Sequence, residues 1–374
     1  MAPTKHHLVL IPGLFGFAQL GGFDYFTHVE EALASRFLER DAECDFVLVS
    51  SPPTGSIVRR TRVLKEAIDQ ACAEDEGPIH LIGHSTGGLD ARLLACPTAQ
   101  PEAPAWFDRV QSAVSISTPH YGSPLAQYFT TMAGAQLLNS LSIFTFVTLR
   151  FGGPPLTVLS PVIAALGRAE EALGLDIKVF ERMTELLVSF IGEQGQAEVR
   201  EWFEGIRNDK GAIFQLTPES MDIFNAAVED NPAIKYGSVV TRVPTPAPIR
   251  VAASIRSPVA ALSAAFFSTL YVGASIPSKI YPVPMPGREI REYVEEKIGR
   301  ELDDSLNDGF VPTKSMVWGS VLWAGVADHL DTLGHFHGDR DSSHTDWLVS
   351  GAGFDESDFD EIMDAVVDFQ LGTR

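Results

Sequence analysis

A chain of 374 residues with 45% hydrophobic and 21% charged side chains can bury a sizeable core and is too apolar for wholesale disorder. Forty-nine acidic against twenty-eight basic residues give a formal charge of −21, a surface that repels phosphate backbones, so nucleic-acid binding is excluded as the leading role. Three widely spaced cysteines, Cys44, Cys72 and Cys96, form no C-x-x-C pair and suggest neither a disulfide framework nor a zinc cluster.

At the N-terminus, Lys5, His6 and His7 ahead of the apolar run Leu8 to Phe17 superficially match a secretory signal. Pro12, Gly13 and Gly16 break that run early and no clean small-x-small cleavage site follows, so the run reads as a buried strand, Leu8 to Ile11, ending in a Gly-rich turn. A cytoplasmic location is therefore expected. A helix carrying Phe26, Val29, Leu33 and Phe37 on one face follows, then a strand at Phe46 to Val49. Ile57, Thr61, Leu64, Ile68 and Cys72 recur at three- and four-residue spacing, which predicts a second helix with one mostly apolar stripe. Strands at Ile79 to Ile82 and Val110 to Ile116 continue an alternation that marks a parallel sheet with crossover helices.

Beyond Ser123 the alternation stops, and about 110 residues of Leu- and Phe-rich helical sequence precede the next strand, Ile234 to Val240. Residues 123–232 are expected to form an inserted helical cap on a core made of 1–122 and 233–374. A second helical insert is expected at about 242–304, ending in a charged helical run, Arg288 to Leu302. A strand at Val321 to Val326 and an amphipathic helix, Phe359 to Phe369, close the chain. Val110 to Leu149 and Ser257 to Ser278 lack any Asp, Glu, Lys or Arg, but their Ser, Thr, Gly and Pro content favours core or cap segments over membrane spans.

The chemistry concentrates in Gly83-His84-Ser85-Thr86-Gly87, between a predicted strand and a helical stretch beginning near Gly88. This is G-x-S-x-G in the context of a nucleophile elbow, where a sharp turn exposes the serine and small flanking residues let strand and helix approach. The following helix N-terminus turns free N–H groups toward developing negative charge. Ser85 is the candidate nucleophile. The α/β-hydrolase order then requires an acid and a histidine further along. Asp308 sits in the tight turn Asn307-Asp308-Gly309, and His329 comes 21 residues later, just after a predicted strand. His335, His337 and His344 compete as more exposed-looking positions, with His344 second to His329. Leu14, in the turn after the first strand, and Thr86, directly after the nucleophile, are the expected oxyanion donors. Phe15, Phe17 and His84 on these turns, with Leu141 and Phe144 in the cap, are the expected substrate-facing side chains.

The segments I-P-G-L-F-G-F, L-I-G-H-S-T-G-G-L-D, I-S-T-P-H-Y-G-S-P-L-A, N-D-G-F-V-P and D-H-L-D occur in order and resemble the corresponding blocks of bacterial triacylglycerol lipases of the α/β-hydrolase superfamily. The resemblance covers about half the chain and leaves the long inserts unmatched. It implies an α/β-hydrolase fold, a mostly parallel sheet flanked by helices with a cap or lid. It also implies the Ser85, Asp308, His329 triad with Leu14 and Thr86 at the oxyanion. Two departures stand out: Pro12-Gly13 replaces the usual His-Gly, and the signal of an exported lipase is missing. Some members hold a structural calcium through an aspartate two residues after the catalytic histidine, here Asp331, whose upstream partner cannot be placed. No other cofactor or metal is implied. The expected activity is hydrolysis of apolar acyl esters through an acyl-enzyme. The partners would be small-molecule or lipid esters, with transient contact at lipid interfaces and no integral span. An acyltransferase, thioesterase or polyester depolymerase would need the same triad, and a non-catalytic interaction protein on this fold would be expected to have lost one of its members.

Overall fold

The protein is described here from a computed structural model covering residues 5–20, 23–73, 75–100, 102–151, 193–246, 258–337 and 346–373, together with 185, 188, 189 and 344. Parts of the expected cap (152–184) and of the second insert (247–257), and the side chain of Leu149, lie outside the described residues.

The second half of strand β1 (Lys5–Ile11), Leu8 to Ile11, is wholly apolar because both its faces are covered. Alternate side chains go to opposite faces. Leu8 and Leu10 share a core with Val29, Leu33 and Phe37 of α1 (Thr27–Glu39), while Val9 and Ile11 pack with Leu64 and Ile68 of α2 (Ile57–Ala71). The same face of α2 also buries Ile57, Arg60 and Thr61, and Ser56 caps the helix by accepting from the Arg59 N–H. A short antiparallel ribbon, β2 (Gln19–Leu20) with β3 (Phe23–Asp24), lies between β1 and α1.

β4 (Glu43–Leu48), β5 (Ile79–His84), β6 (Val110–Ile116), β7 (Lys235–Arg242) and β8 (Ser320–Val326) complete a six-stranded sheet with β1. Its order is β4-β1-β5-β6-β7-β8, and every neighbouring pair is parallel. The fold is thus a mostly parallel sheet flanked by helices, the α/β-hydrolase architecture. β1 and β4 both begin earlier than their apolar runs, since Lys5 pairs with Glu43 and polar edge residues extend a ladder that hydrophobicity does not report.

α3 (Thr86–Ala95) follows β5 and packs on the α2 side through Ala91 and Leu94. Between β6 and β7 the described residues form α4 (Pro124–Phe129), α5 (Met132–Phe151), α6 (Glu193–Asn208), α7 (Gly211–Gln215) and α8 (Pro218–Ala227). Leu137, Leu138, Leu141, Phe144, Phe146 and Val147 of α5 are buried, and so are its Ser140, Ser142 and Thr145. A helix buried all round needs its hydroxyls satisfied locally, and Ser140 and Thr145 donate to the carbonyls of Gln136 and Leu141. No described helix is long and apolar enough to cross a membrane. Between β7 and β8 lie α9 (Pro258–Ala274) and α10 (Arg288–Ile298). The charged run stops at Ile298, short of the expected Leu302, because Gly299 takes φ +71° and turns the chain out of the helix. The closing helix, α11 (Glu356–Leu371), starts in a capping box at Asp355 and Asp358. Asp360, Asp364 and Asp368 recur along it every four residues and meet Arg36 and Arg40 of α1, stapling the two helices.

Candidate active site

A parallel sheet brings the C-terminal ends of its strands to one edge, where α/β folds collect their ligands. The register places Ile11 beside Gly83, and His84 beside Ile116, so the turns after β1, β5 and β6 are neighbours. Ser85 tops the turn after β5 with φ +55° and ψ −125°, a conformation a serine adopts only when its surroundings impose it. They do so at close quarters. A Cβ on Gly83 would run into the backbone of Gly87 and Gly88, and one on Gly87 into the carbonyls of Ile11 and Pro12. The Ser85 N–H is tied to the Ile116 carbonyl at 2.8 Å.

The other two candidates meet although β8 separates them in sequence. His329 Nδ1 donates to Asp308 Oδ2 at 2.7 Å, with Asp308 fully buried. The Asp308 turn is held against the end of β7: Val243 N–H bonds the Asn307 carbonyl, and Thr241 Oγ1 donates to Asp308 Oδ2 at 3.2 Å. Its Oδ1 accepts the N–H groups of Phe310 at 3.0 Å and Val311 at 2.8 Å. Phe310 stacks on the His329 ring at 4.9 Å, and Trp347 stacks on Phe310 at 5.3 Å. Ser85 and His329 open on one cavity, and among the described residues no hydrogen bond joins Ser85 Oγ directly to the imidazole.

Leu14 and Thr86 line the same cavity, and neither backbone N–H is bonded to a protein acceptor among the described residues. Phe15, Phe17, His84 and Leu141 line it as well. Phe144 does not reach it. It packs against Phe266 at 5.2 Å, about 100° round α5 from Thr145, which does line the cavity. Two of the competing histidines also differ from expectation. His335 is buried, with Nε2 bonded to the Tyr25 carbonyl at 3.2 Å, and His344 is half-buried between His28 and Phe336, both 4.2 Å away. Only His337 of the three is exposed. Neither buried ring lines the Ser85 cavity, since the loop after β8 folds back over α1 and hides them there.

Sequence reading missed Tyr25, Thr241, Trp347 and a buried ion pair behind the elbow. Arg60 of α2 donates to Asp90 of α3 at 2.8 Å and to the Pro12 carbonyl at 2.6 Å, all within the core. Burial pushes the Asp90 carboxyl up to about 6 against the pull of Arg60. Asp90 ends the quoted L-I-G-H-S-T-G-G-L-D block, which was the one available signal.

Asp331 lies fully buried beside Asp328 and Asp346. Burial, with the nearby Asp308, pushes Asp328 up to about 6, and burial with repulsion from Asp328 pushes the other two well above the usual carboxylate range. Among the described residues, Asp346 Oδ1 has no hydrogen-bond partner. An all-oxygen donor set suits a hard cation such as calcium. Yet among the described residues no three ligating side chains converge as a metal site requires, and Asp331 Oδ2 is occupied by the Asp328 N–H at 2.7 Å. The arrangement does not fit a preformed calcium site, and no step is routed through one.

No family model matches the chain. It is 32% identical over 126 residues to a triacylglycerol lipase of Pseudomonas fragi, covering 33% of this chain and 38% of that protein. A triacylglycerol lipase of Vibrio cholerae serotype O1 is 32% identical over 123 residues, covering 33% and 35%. The match thus spans little more than a third of the curated relatives' length. Among solved structures, EstA from Clostridium botulinum superposes with a TM-score of 0.49 at 17% identity, covering 98% of this chain and 88% of that one. The lipase of Staphylococcus hyicus gives 0.46 at 16%, covering 98% and 96%. Across 33% of its length the chain is thus similar to triacylglycerol lipases.

Proposed function

We propose that the protein is a serine carboxylester hydrolase acting on esters of apolar acyl groups. The observation that carries this reading is the strained Ser85 turn opening on the same apolar cavity as a His329 ring already bonded to buried Asp308. Ser85 Oγ attacks the ester carbonyl carbon while His329 Nε2 takes its proton. Asp308 keeps the proton on Nδ1, so that Nε2 is free to act as base, and stabilises the imidazolium that forms. The Leu14 and Thr86 N–H groups receive the oxyanion. Collapse expels the alcohol, whose oxygen takes the proton from His329, and leaves an acyl group on Ser85. Water then attacks that acyl group by the same steps and frees the carboxylic acid. Leu14, Phe15, Phe17, Phe129 and Leu141 give the acyl chain an apolar wall, worth roughly 0.8 kcal/mol per buried methylene.

The test combines turnover of p-nitrophenyl butyrate and octanoate with covalent labelling by an alkyl phosphonate. Wild-type protein should hydrolyse both esters and carry the label on Ser85, and Ser85→Ala should lose turnover and label with its fold intact. Labelling that persists in Ser85→Ala would overturn the assignment.

A further inference from the structure

A buried hydrogen-bonded chain outside the Ser85, His329, Asp308 set joins the elbow to the His329 loop and packs against the turn after β1. His84, the residue before Ser85, is 1% exposed, with Nε2 2.7 Å from the carbonyl oxygen of His329 and Nδ1 2.8 Å from the Tyr25 hydroxyl. A carbonyl can only accept, so Nε2 carries the proton, and Nδ1 of a neutral ring must then accept from Tyr25 O–H. The turn after β1 packs directly on this pair, since a Cβ on Gly13 would lie 3.3 Å from His84 Nδ1 and 3.0 Å from Ser85 Cβ. Both hydrogen-bond directions are thereby fixed: Tyr25 O–H to His84 Nδ1, His84 Nε2–H to His329 O. Burial holds the His84 imidazole well below the ordinary histidine range, with the nearby His329 acting the same way, so the ring stays neutral and the pattern persists.

The segments that meet here are the places where register matters. Gly13, packed on His84, precedes Leu14; His84 precedes Ser85; and the far end of the chain is the backbone of His329 itself. Asp308 orients the imidazole through one ring nitrogen, and Asp328 Oδ1 shapes the loop by accepting the N–H groups of Leu330 at 3.0 Å and Asp331 at 3.1 Å. Neither contact sets the distance from that loop to Ser85. The His84 bond does, because it runs from the nucleophile's own neighbour to the base's own carbonyl.

We infer that His84 and Tyr25 are positioning residues that hold the His329 base, the Ser85 nucleophile and the Leu14 N–H in mutual register. The inference rests on the ester-hydrolase reading above and adds to it two residues that act through others.

Three variants test it. His84→Leu keeps the volume but strands the His329 carbonyl and the Tyr25 hydroxyl, and should lower kcat about 10- to 100-fold with KM within about twofold of wild type. His84→Gln, whose side-chain N–H can reach the same carbonyl, should recover about tenfold of that loss. Tyr25→Phe, nearly isosteric, should lower kcat in the same direction, and combining it with His84→Leu should cost less than the product of the two, since both break one chain. Rates are taken per phosphonate-titrated Ser85, so unfolded protein does not count. A purely structural role predicts lowered Tm with wild-type kcat per titrated site in all three variants, and that result overturns the inference. If His84→Leu fails to fold, Tyr25→Phe and His84→Gln decide alone: wild-type kcat in both overturns it. Wild-type protein without turnover or label would instead sink the hydrolase reading, a distinguishable failure.

Discussion

At Ser85 the backbone is held where an L-residue is disfavoured, and the glycines around it leave no room for relaxation. Gly87→Ala would push a methyl group against the carbonyls of Ile11 and Pro12, so it should either shift the β1 turn or cost several kcal/mol, read as a fall in Tm together with lost turnover. The histidines make a sharper residue-scale prediction. His329→Ala should reduce kcat by several orders of magnitude with little change in Tm, whereas His335→Ala and His344→Ala should lower Tm more than kcat, because those rings pack away from the cavity. A dead but stable His344→Ala would refute the choice of base. Ser85, Asp308 and His329 were legible because each sits in a local pattern with its own physics: an elbow, an Asx-Gly turn, a loop leaving a strand. Arg60 and Tyr25 were not. One occupies a polar-looking position of an amphipathic helix and the other ends a short ribbon, and only three-dimensional packing brings them to Asp90 and His84.

For whole elements, the sheet strands could be read as apolar runs, since both their faces are covered, and the helices α1, α2 and α11 from period, since each must bury one face against a neighbour. The apolar stretch of α5 was legible as buried, but not which of its faces meets the cavity, because a helix buried all round has no polar stripe to orient it. The structure divides that helix. Leu141 and Thr145 face the cavity, with Thr145 Oγ1 accepting from Trp347 Nε1 at 3.1 Å, and Phe144 faces Phe266. Leu141→Ala should therefore open the acyl site and raise the octanoate-to-acetate ratio of kcat/KM. Phe144→Ala should cost about 3–5 kcal/mol of stability and leave that ratio alone. Chain-length series on the two folded variants check this, and identical profiles would remove α5 from the acyl wall.

Across the molecule, charge of one sign accumulates both on the surface and inside, and the two contributions respond differently to salt. The net charge of −21 repels itself through solvent, where ions screen it. Asp328, Asp331 and Asp346 repel one another in the core, where screening is weak. Burial pushes the Asp328 carboxyl up to about 6 in the folded state, above about 3.9 in an unfolded chain, so the folded state holds a proton that the unfolded state releases. The stabilisation this brings is fully present below the unfolded value and is lost as pH rises through about 6, and Asp331 and Asp346, raised in the same direction, add to the loss. Tm should accordingly fall as pH rises from about 4 through about 6. At the acid end the opposite sign applies to Asp75 and Asp303, whose pKa values are depressed by hydrogen bonds, so stability should also decline below about pH 4. Adding 0.5 M sodium chloride at pH 8 should restore only the surface share of the loss. Asp346→Asn removes one interior charge and should flatten the remaining fall, salt or no salt. Millimolar calcium at pH 8 separates a proton from a cation as the neutralising partner: with no convergent ligand set among the described residues, Tm should not move. A calcium-dependent rise in wild type that Asp346→Asn abolishes would show that these acids rearrange around a metal, and the proton account would fall with it.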